Sequence, residues 1–204
     1  MSRNLSELAL RLNRLNAPDA NFPPLFLMTD AKRLPDPSDF IPLLPKGSAV
    51  IVRHFSEQEK TNIIFKIKPV CRKHKIKILV SDSPSLALRH QLDGVHFPEK
   101  TVRKIAGCGY LRRARPSLIF TAACHSARAL NAAQKARLDA VLISPIFATQ
   151  SHPGGKTLGP WTFQKLSRTK GLKTYGLGGI NPKTAQRLIT SRACGFAGIG
   201  SLLT

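Results

Sequence analysis

Short apolar runs alternate along this chain with stretches of helical periodicity. Leucines at 5, 8, 10, 12 and 15, with arginines on the other side, predict a leading helix over residues 5–15 that Asn16-Ala17-Pro18 ends. L-F-L-M-T-D at 25–30 predicts a first strand terminated by Thr29 and Asp30, and residues 39–44 a short helical segment stopped by Pro45-Lys46-Gly47. A second buried strand over 49–52 ends in Arg53. Ser56 followed by Glu59 has the form of a capping box, and Ile63, Ile64, Ile67 and Val70 carry a helix to Lys75, with Pro69 as a kink.

The alternation continues to the end. Strands are predicted over 76–80, 93–97, 117–122, 139–143, 174–177 and 195–199, and helices over 85–90, 127–136, 161–166 and 182–190. Residues 98–116 are mixed, with Gly107 and Gly109 interrupting any helix. Eight strands alternating with crossovers predict an α/β fold, a parallel (β/α)8 TIM barrel in one domain over residues 1–204. Polar residues follow successive strands: Thr29-Asp30, Arg53, Ser81-Asp82, His96, His125, Ser144 and Gly178-Gly179. A closed barrel gathers such strand ends on one rim, whereas an open sheet spreads them along an edge. Residues 201–204 are too few for an outer helix, so the barrel has a short leading helix and a missing or very short last one. The leading helix, a second subunit in a homo-oligomer, or chain missing beyond the C-terminus accounts for the gap.

Two stretches carry candidate chemistry. After the apolar run 140–143 comes S-P-I-F-A-T-Q-S-H-P-G-G-K, about a dozen residues and longer than most strand-to-helix loops. Its Thr149, Ser151, His152 and Lys156 can converge on a ligand at a strand's C-terminal end, although a plain surface loop has the same composition. The second is G-L-G-G-I-N at 176–181 with G-I-G-S at 198–201. Glycines after the seventh and eighth strands bring backbone N–H groups close to an anion, where barrels commonly hold phosphate.

Charge narrows the partners less than it first suggests. Thirty-two Lys and Arg against 11 Asp and Glu leave +21, a field that attracts phosphorylated metabolites, nucleic acid or anionic membrane alike. Aromatics make up 6% and are not interleaved with the basic runs, which favours a solvated basic surface over a stacking groove for nucleic acid. No apolar run approaches the roughly 18 residues of a membrane span, and M-S-R-N-L-S-E-L is no signal peptide, so a cytoplasmic protein without membrane contact is expected. Four scattered cysteines with no C-x-x-C pair suggest neither disulfides nor zinc.

L-M-T-D, S-D-S-P-S-L-A, L-D-G-V-H-F, C-H-S, D-A-V-L-I-S-P-I-F-A-T, G-L-G-G-I-N and G-I-G-S, in this order and spacing, resemble the thiamine phosphate synthase family, which includes the TenI-type thiazole tautomerases. The resemblance implies a transferase that joins a pyrimidine methyl pyrophosphate to a thiazole phosphate, with Mg²⁺ as cofactor. It places Arg53 at the pyrophosphate arginine, Asp82 at a Mg²⁺ carboxylate with Ser81 before it, and Thr149 and Ser151 at the loop hydroxyls. It also places Gly178, Gly179, Gly200 and Ser201 at the thiazole phosphate.

The chain departs from the pattern at several positions. Ile51 and Phe55 stand where the family has Gln and Lys, Ser81 where it has Asn, His152 where the loop has Lys, and Thr101 where a second metal carboxylate is usual, with Glu99 two residues away. The tautomerases need no metal and move a proton with a His at the end of strand five, a position that His125 occupies. Synthase is therefore the first reading and a tautomerase using His125 the second. A non-catalytic barrel binding phosphate ligands or nucleic acid is the third.

Overall fold

The computed structural model describes residues 3–18, 22–53, 56–102, 113, 115–149 and 154–199. Eight parallel strands close into a barrel in sequence order: β1 Leu25–Met28, β2 Ala49–Val52, β3 Lys77–Ser81, β4 Gly94–Phe97, β5 Ile119–Cys124, β6 Ala140–Ile143, β7 Lys173–Leu177 and β8 Gly195–Gly198. Closure is made by β8 against β1, with Leu25 opposite Phe196.

Both faces of the strands are buried, which is why they read as unbroken apolar runs. Phe26, Met28, Ala49, Ile51, Leu79, Leu142 and Tyr175 fill the barrel interior. Leu25, Leu27, Val50, Val52, Val80 and Val141 point the other way, into the layer beneath the helices. Burying a side chain of this size stabilises the fold by about 1.5–3 kcal/mol. Phe26 meets Tyr175 edge-on at 4.8 Å, a preferred geometry for two rings in a narrow core.

Among the described residues the α-helices with defined bounds are α1 Arg3–Asn16, α2 Glu57–His74, α3 Pro84–Arg89, α4 Glu99–Val102, α5 Ala127–Lys135, α6 Gly159–Leu166 and α7 Pro182–Ala185. Helix α1 buries Leu5, Leu8 and Leu12 and packs against β8 and α7. Asn13 and Asn16 donate side-chain amide hydrogens to the carbonyls of Cys194 and Ala193 at 3.1 and 2.8 Å. The leading helix thus packs over β8.

In α2 the capping box is formed: Ser56 Oγ accepts from the Glu59 amide at 3.1 Å, and Glu59 Oε2 accepts from the Ser56 amide at 3.0 Å. Such a cap contributes about 1 kcal/mol. The helix runs through Pro69 as one element.

Two segments differ from the sequence reading. β5 begins at Ile119 because Leu118 donates to the Arg115 carbonyl at 3.2 Å, which puts Pro116 and Ser117 in a turn. Helix α4 was not expected, since four residues carry no periodicity. Among the described residues, no helix is long and apolar enough to cross a membrane.

Candidate active site at the C-terminal rim of the barrel

Parallel strands deliver their last residues to one rim, and the polar side chains there fall into connected groups. Between β1 and β2, Thr29 is fully buried and its Oγ1 accepts from the Arg53 amide at 2.7 Å. Next to it, Asp30 Oδ2 accepts from Arg33 Nη2 at 2.9 Å and from Arg53 Nη2 at 3.0 Å. Its Oδ1 accepts the amides of Lys32 and Arg33. The Arg33 hydrogen bond, chiefly, holds this carboxyl well below the usual carboxylate range. One carboxylate therefore organises two guanidiniums, and the Arg53 side chain remains 42% exposed toward the rim.

On β4, His96 is 2% exposed and its Nδ1 lies 2.8 Å from Thr121 Oγ1. Burial, with the nearby Arg53 cation, pushes its pKa down to about 3, so it stands neutral near pH 7 and is a poor proton acceptor. Ser81, buried at the end of β3, pairs with His96 in register.

Asp82 follows in left-handed backbone (φ 53°) and is exposed. Its Oδ2 accepts from Thr101 Oγ1 at 3.3 Å. Glu99, the displaced carboxylate, is engaged elsewhere: its Oε2 accepts the His125 amide at 2.7 Å. Among the described residues no three His, Cys, Asp or Glu side chains group to hold a metal. The donors at Asp82 are one carboxylate and one hydroxyl. Mg²⁺ is commonly held by one or two carboxylates plus substrate phosphates and water, so this set fits an ion shared with a substrate's pyrophosphate.

His125, exposed just after β5, places Nδ1 2.8 Å from the Ser144 carbonyl oxygen and 3.2 Å from Ser144 Oγ. A carbonyl only accepts, so Nδ1 carries the hydrogen and Nε2 of the neutral ring is left to accept a proton. Beneath it, buried Cys124 has its thiol pushed up to about 12 by burial and by Glu99, which removes it as a nucleophile.

The two stretches singled out in the sequence are packed on each other. Ile146 and Phe147 amides donate to the Leu177 and Gly178 carbonyls at 3.0 and 3.1 Å, beyond a cis Ser144-Pro145 peptide. Gly178 and Gly179 have φ of 94° and 65°, and a Cβ on Gly179 would lie 2.5 Å from the Ala148 oxygen. Only glycine admits both the dihedral and the approach. Further along this loop Thr149 Oγ1 is buried without a hydrogen-bond partner among the described residues. A buried orphan hydroxyl costs about 1–3 kcal/mol unless something completes it.

Arg53, Ser81, Asp82, His125, Thr149, Gly178 and Gly179 are thus brought to one rim, while Ser151, His152, Gly200 and Ser201 lie outside the described residues. Sequence reasoning noted Asp30 only as a strand-end polar residue and passed over Arg33. The D-x-x-R spacing after a strand was the available signal. The engagement of Glu99 with the His125 amide left no trace in the sequence.

A sequence model of the thiamine monophosphate synthase family (TMP-TENI) matches residues 43–202. The chain belongs to this family. Among similar proteins, "Putative thiamine-phosphate synthase 2" of Aquifex aeolicus is 27% identical over 188 residues, covering 89% of this chain and 98% of that one. The thiamine biosynthesis bifunctional protein ThiM/ThiE of Symbiobacterium thermophilum is 31% identical over 144 residues, which cover 68% of this chain but 28% of that larger protein. Thiamine phosphate pyrophosphorylase from Pyrococcus furiosus superposes with a TM-score of 0.69 at 20% identity, over 93% of this chain and 88% of that one, which shows the shared fold. In this thiamine monophosphate synthase family member, the rim just described is the candidate site.

Proposed function

We propose that this chain is a cytoplasmic thiamine-phosphate synthase, joining a pyrimidine methyl pyrophosphate to a thiazole phosphate with release of pyrophosphate. Family membership together with the Asp30-held Arg53 at the rim carries the reading. A guanidinium fixed by a carboxylate offers its remaining N–H groups in a set direction, suited to a pyrophosphate. Thr149 Oγ1, buried and without a partner among the described residues, and Ser151 add hydroxyl donors for the same group. Backbone N–H groups of the Gly178-Gly179 turn, with Gly200 and Ser201, receive the thiazole phosphate, while Ser81 lines the site between them.

The bond from the pyrimidine methylene to the pyrophosphate oxygen breaks with its electron pair leaving on oxygen. The thiazole nitrogen lone pair then fills the resulting cation. No protein nucleophile takes part, in keeping with the inert Cys124 and neutral His96. What the side chains supply is preorganised positive charge where negative charge develops. Asp82 and Thr101 would hold Mg²⁺, which when bound offsets charge on the pyrophosphate.

The test is an assay with both substrates and Mg²⁺, with and without chelator, following pyrophosphate and thiamine phosphate. Product formation supports the reading; absence of product while thiazole phosphate still binds rejects it. A second reading, a tautomerase, is favoured by one observation: the Ser144 carbonyl fixes the His125 tautomer and leaves Nε2 as a base. It requires metal-free isomerisation of a thiazole carboxylate phosphate that His125→Gln abolishes; an unaffected rate removes it.

A further inference from the structure

The basic charge is sorted by the barrel. Seven of the ten described carboxylates, Asp30, Asp36, Asp39, Glu57, Glu59, Asp82 and Glu99, lie between the end of a strand and the first turn of the helix that follows, on the side of the active-site rim; Glu7 is in α1, and Asp93 and Asp139 are at strand starts. At the opposite end, where strands begin, two cavities open. One, of about 470 Å³ at the starts of β6, β7 and β8, is lined by Arg168, Lys170, Lys173 and Arg192. The other, of about 380 Å³ at the starts of β3 and β4, is lined by Lys68, Arg72, Lys75 and Lys77.

Each cavity holds four cations against one carboxylate, and in each that carboxylate is turned to a backbone amide. Asp139 Oδ2 accepts from Phe120 at 2.7 Å and Asp93 Oδ2 from Ile78 at 2.8 Å. The ion pairs among described residues use Arg33, Arg53 and Lys66, so none of these eight cations is in one. Lys68 and Lys173 donate to neutral carbonyls, of His90 and Asn16, which leaves their charge uncompensated.

β3 and β7 stand four places apart in a ring of eight, so the cavities face each other across the barrel axis. From strand spacing and tilt the ring is about 15 Å across. A small phosphorylated metabolite fills one cavity; bridging both takes a polyanion. Duplex nucleic acid carries one charge per about 1.7 Å of axis, enough for about nine phosphates over that distance.

We propose that the N-terminal face of the barrel binds nucleic acid through its phosphates, independently of sequence and of the active site. The scarcity of aromatics, noted as evidence against a stacking groove, sets the mode here: backbone contact without base stacking. A membrane-surface site would need an amphipathic helix with a free apolar face, but α1 and α2 bury Leu5, Leu8 and Leu12, and Ile63, Ile64 and Ile67, and the single exposed Leu15 and Phe65 on them do not make such a face.

The test is anisotropy of a labelled 20-bp duplex of mixed sequence, titrated with salt from 50 mM, alongside phosphatidylserine vesicles. Binding to duplex with a steep salt slope is expected. The exposed pairs Lys68→Glu with Arg72→Glu, and Arg168→Glu with Lys170→Glu, should each flatten that slope by about 2 and weaken binding at least about tenfold, with synthase turnover unchanged. No binding at 50 mM salt, binding that survives all four substitutions, or tighter binding to vesicles than to duplex overturns the proposal.

Discussion

The Asp30 carboxylate and the Arg53 guanidinium, 23 residues apart in the chain, meet at 3.0 Å across the ends of β1 and β2. Arg53 is therefore aimed before any ligand arrives, with Arg33 held on the same oxygen.

If that aim is what matters, Asp30→Asn should lower kcat/KM for the pyrimidine pyrophosphate about tenfold, close to 1.4 kcal/mol of transition-state binding, with a fall in kcat. Steady-state kinetics decide it. A lower KM at unchanged kcat would mean that Asp30 only neutralises charge, and the positioning role would be withdrawn.

Asp82 is the sole described carboxylate turned toward the proposed metal position, since Glu99 is occupied by the His125 amide. Asp82→Ala should abolish the Mg²⁺-dependent part of turnover and leave the rate in chelator as it was. Turnover that still responds to Mg²⁺ would place the ion elsewhere.

His96 links stability to pH. In the unfolded chain it takes up a proton near pH 6.5, whereas in the native barrel, buried and beside the Arg53 cation, it does so only at about pH 3. The unfolded state thus binds more protons across that window. Stability contributed by neutral His96 is complete above about pH 6.5 and is lost as the pH falls toward 3. Between pH 6.5 and 5.0 this group alone should cost about 2 kcal/mol in urea unfolding, at about 1.4 kcal/mol per pH unit. His96→Gln should remove that slope; an equal slope in the variant would assign it to other groups.

Gly179 and Gly47 separate conformational strain from collision. Both have positive φ, 65° and 84°, but a Cβ at 47 meets nothing within 4 Å, while one at 179 strikes the Ala148 oxygen and Phe147. Gly47→Ala should cost about 1 kcal/mol and Gly179→Ala about 3 kcal/mol or more, with loss of phosphate binding in the latter. Similar Tm values for the two variants would mean that the two loops are not packed as described.

The order of elements was legible because a strand buried on both faces has to be an apolar run. Leu25 to Met28 and Ala49 to Val52 could hardly read otherwise. The rim residues were legible for a related reason: a polar side chain directly after such a run must leave the core, and parallel strands leave it on the same side. Local chemistry was equally plain, as in the Ser56 and Glu59 cap, whose partners are three residues apart. The start of β5 was not, because it depends on a turn closed at the Arg115 carbonyl rather than on hydrophobicity.

Pairings between distant residues belong to the tertiary structure alone. Arg53 on Asp30, Glu99 on the His125 amide, and Gly179 beneath Ala148 each arise when closure of the barrel sets one strand end beside the next. The net charge of +21 was fixed by composition, but its separation into a mixed rim and a cationic opposite face was not. That sorting follows from which turns lie before strands and which after, a distinction that exists only once all eight strands run the same way.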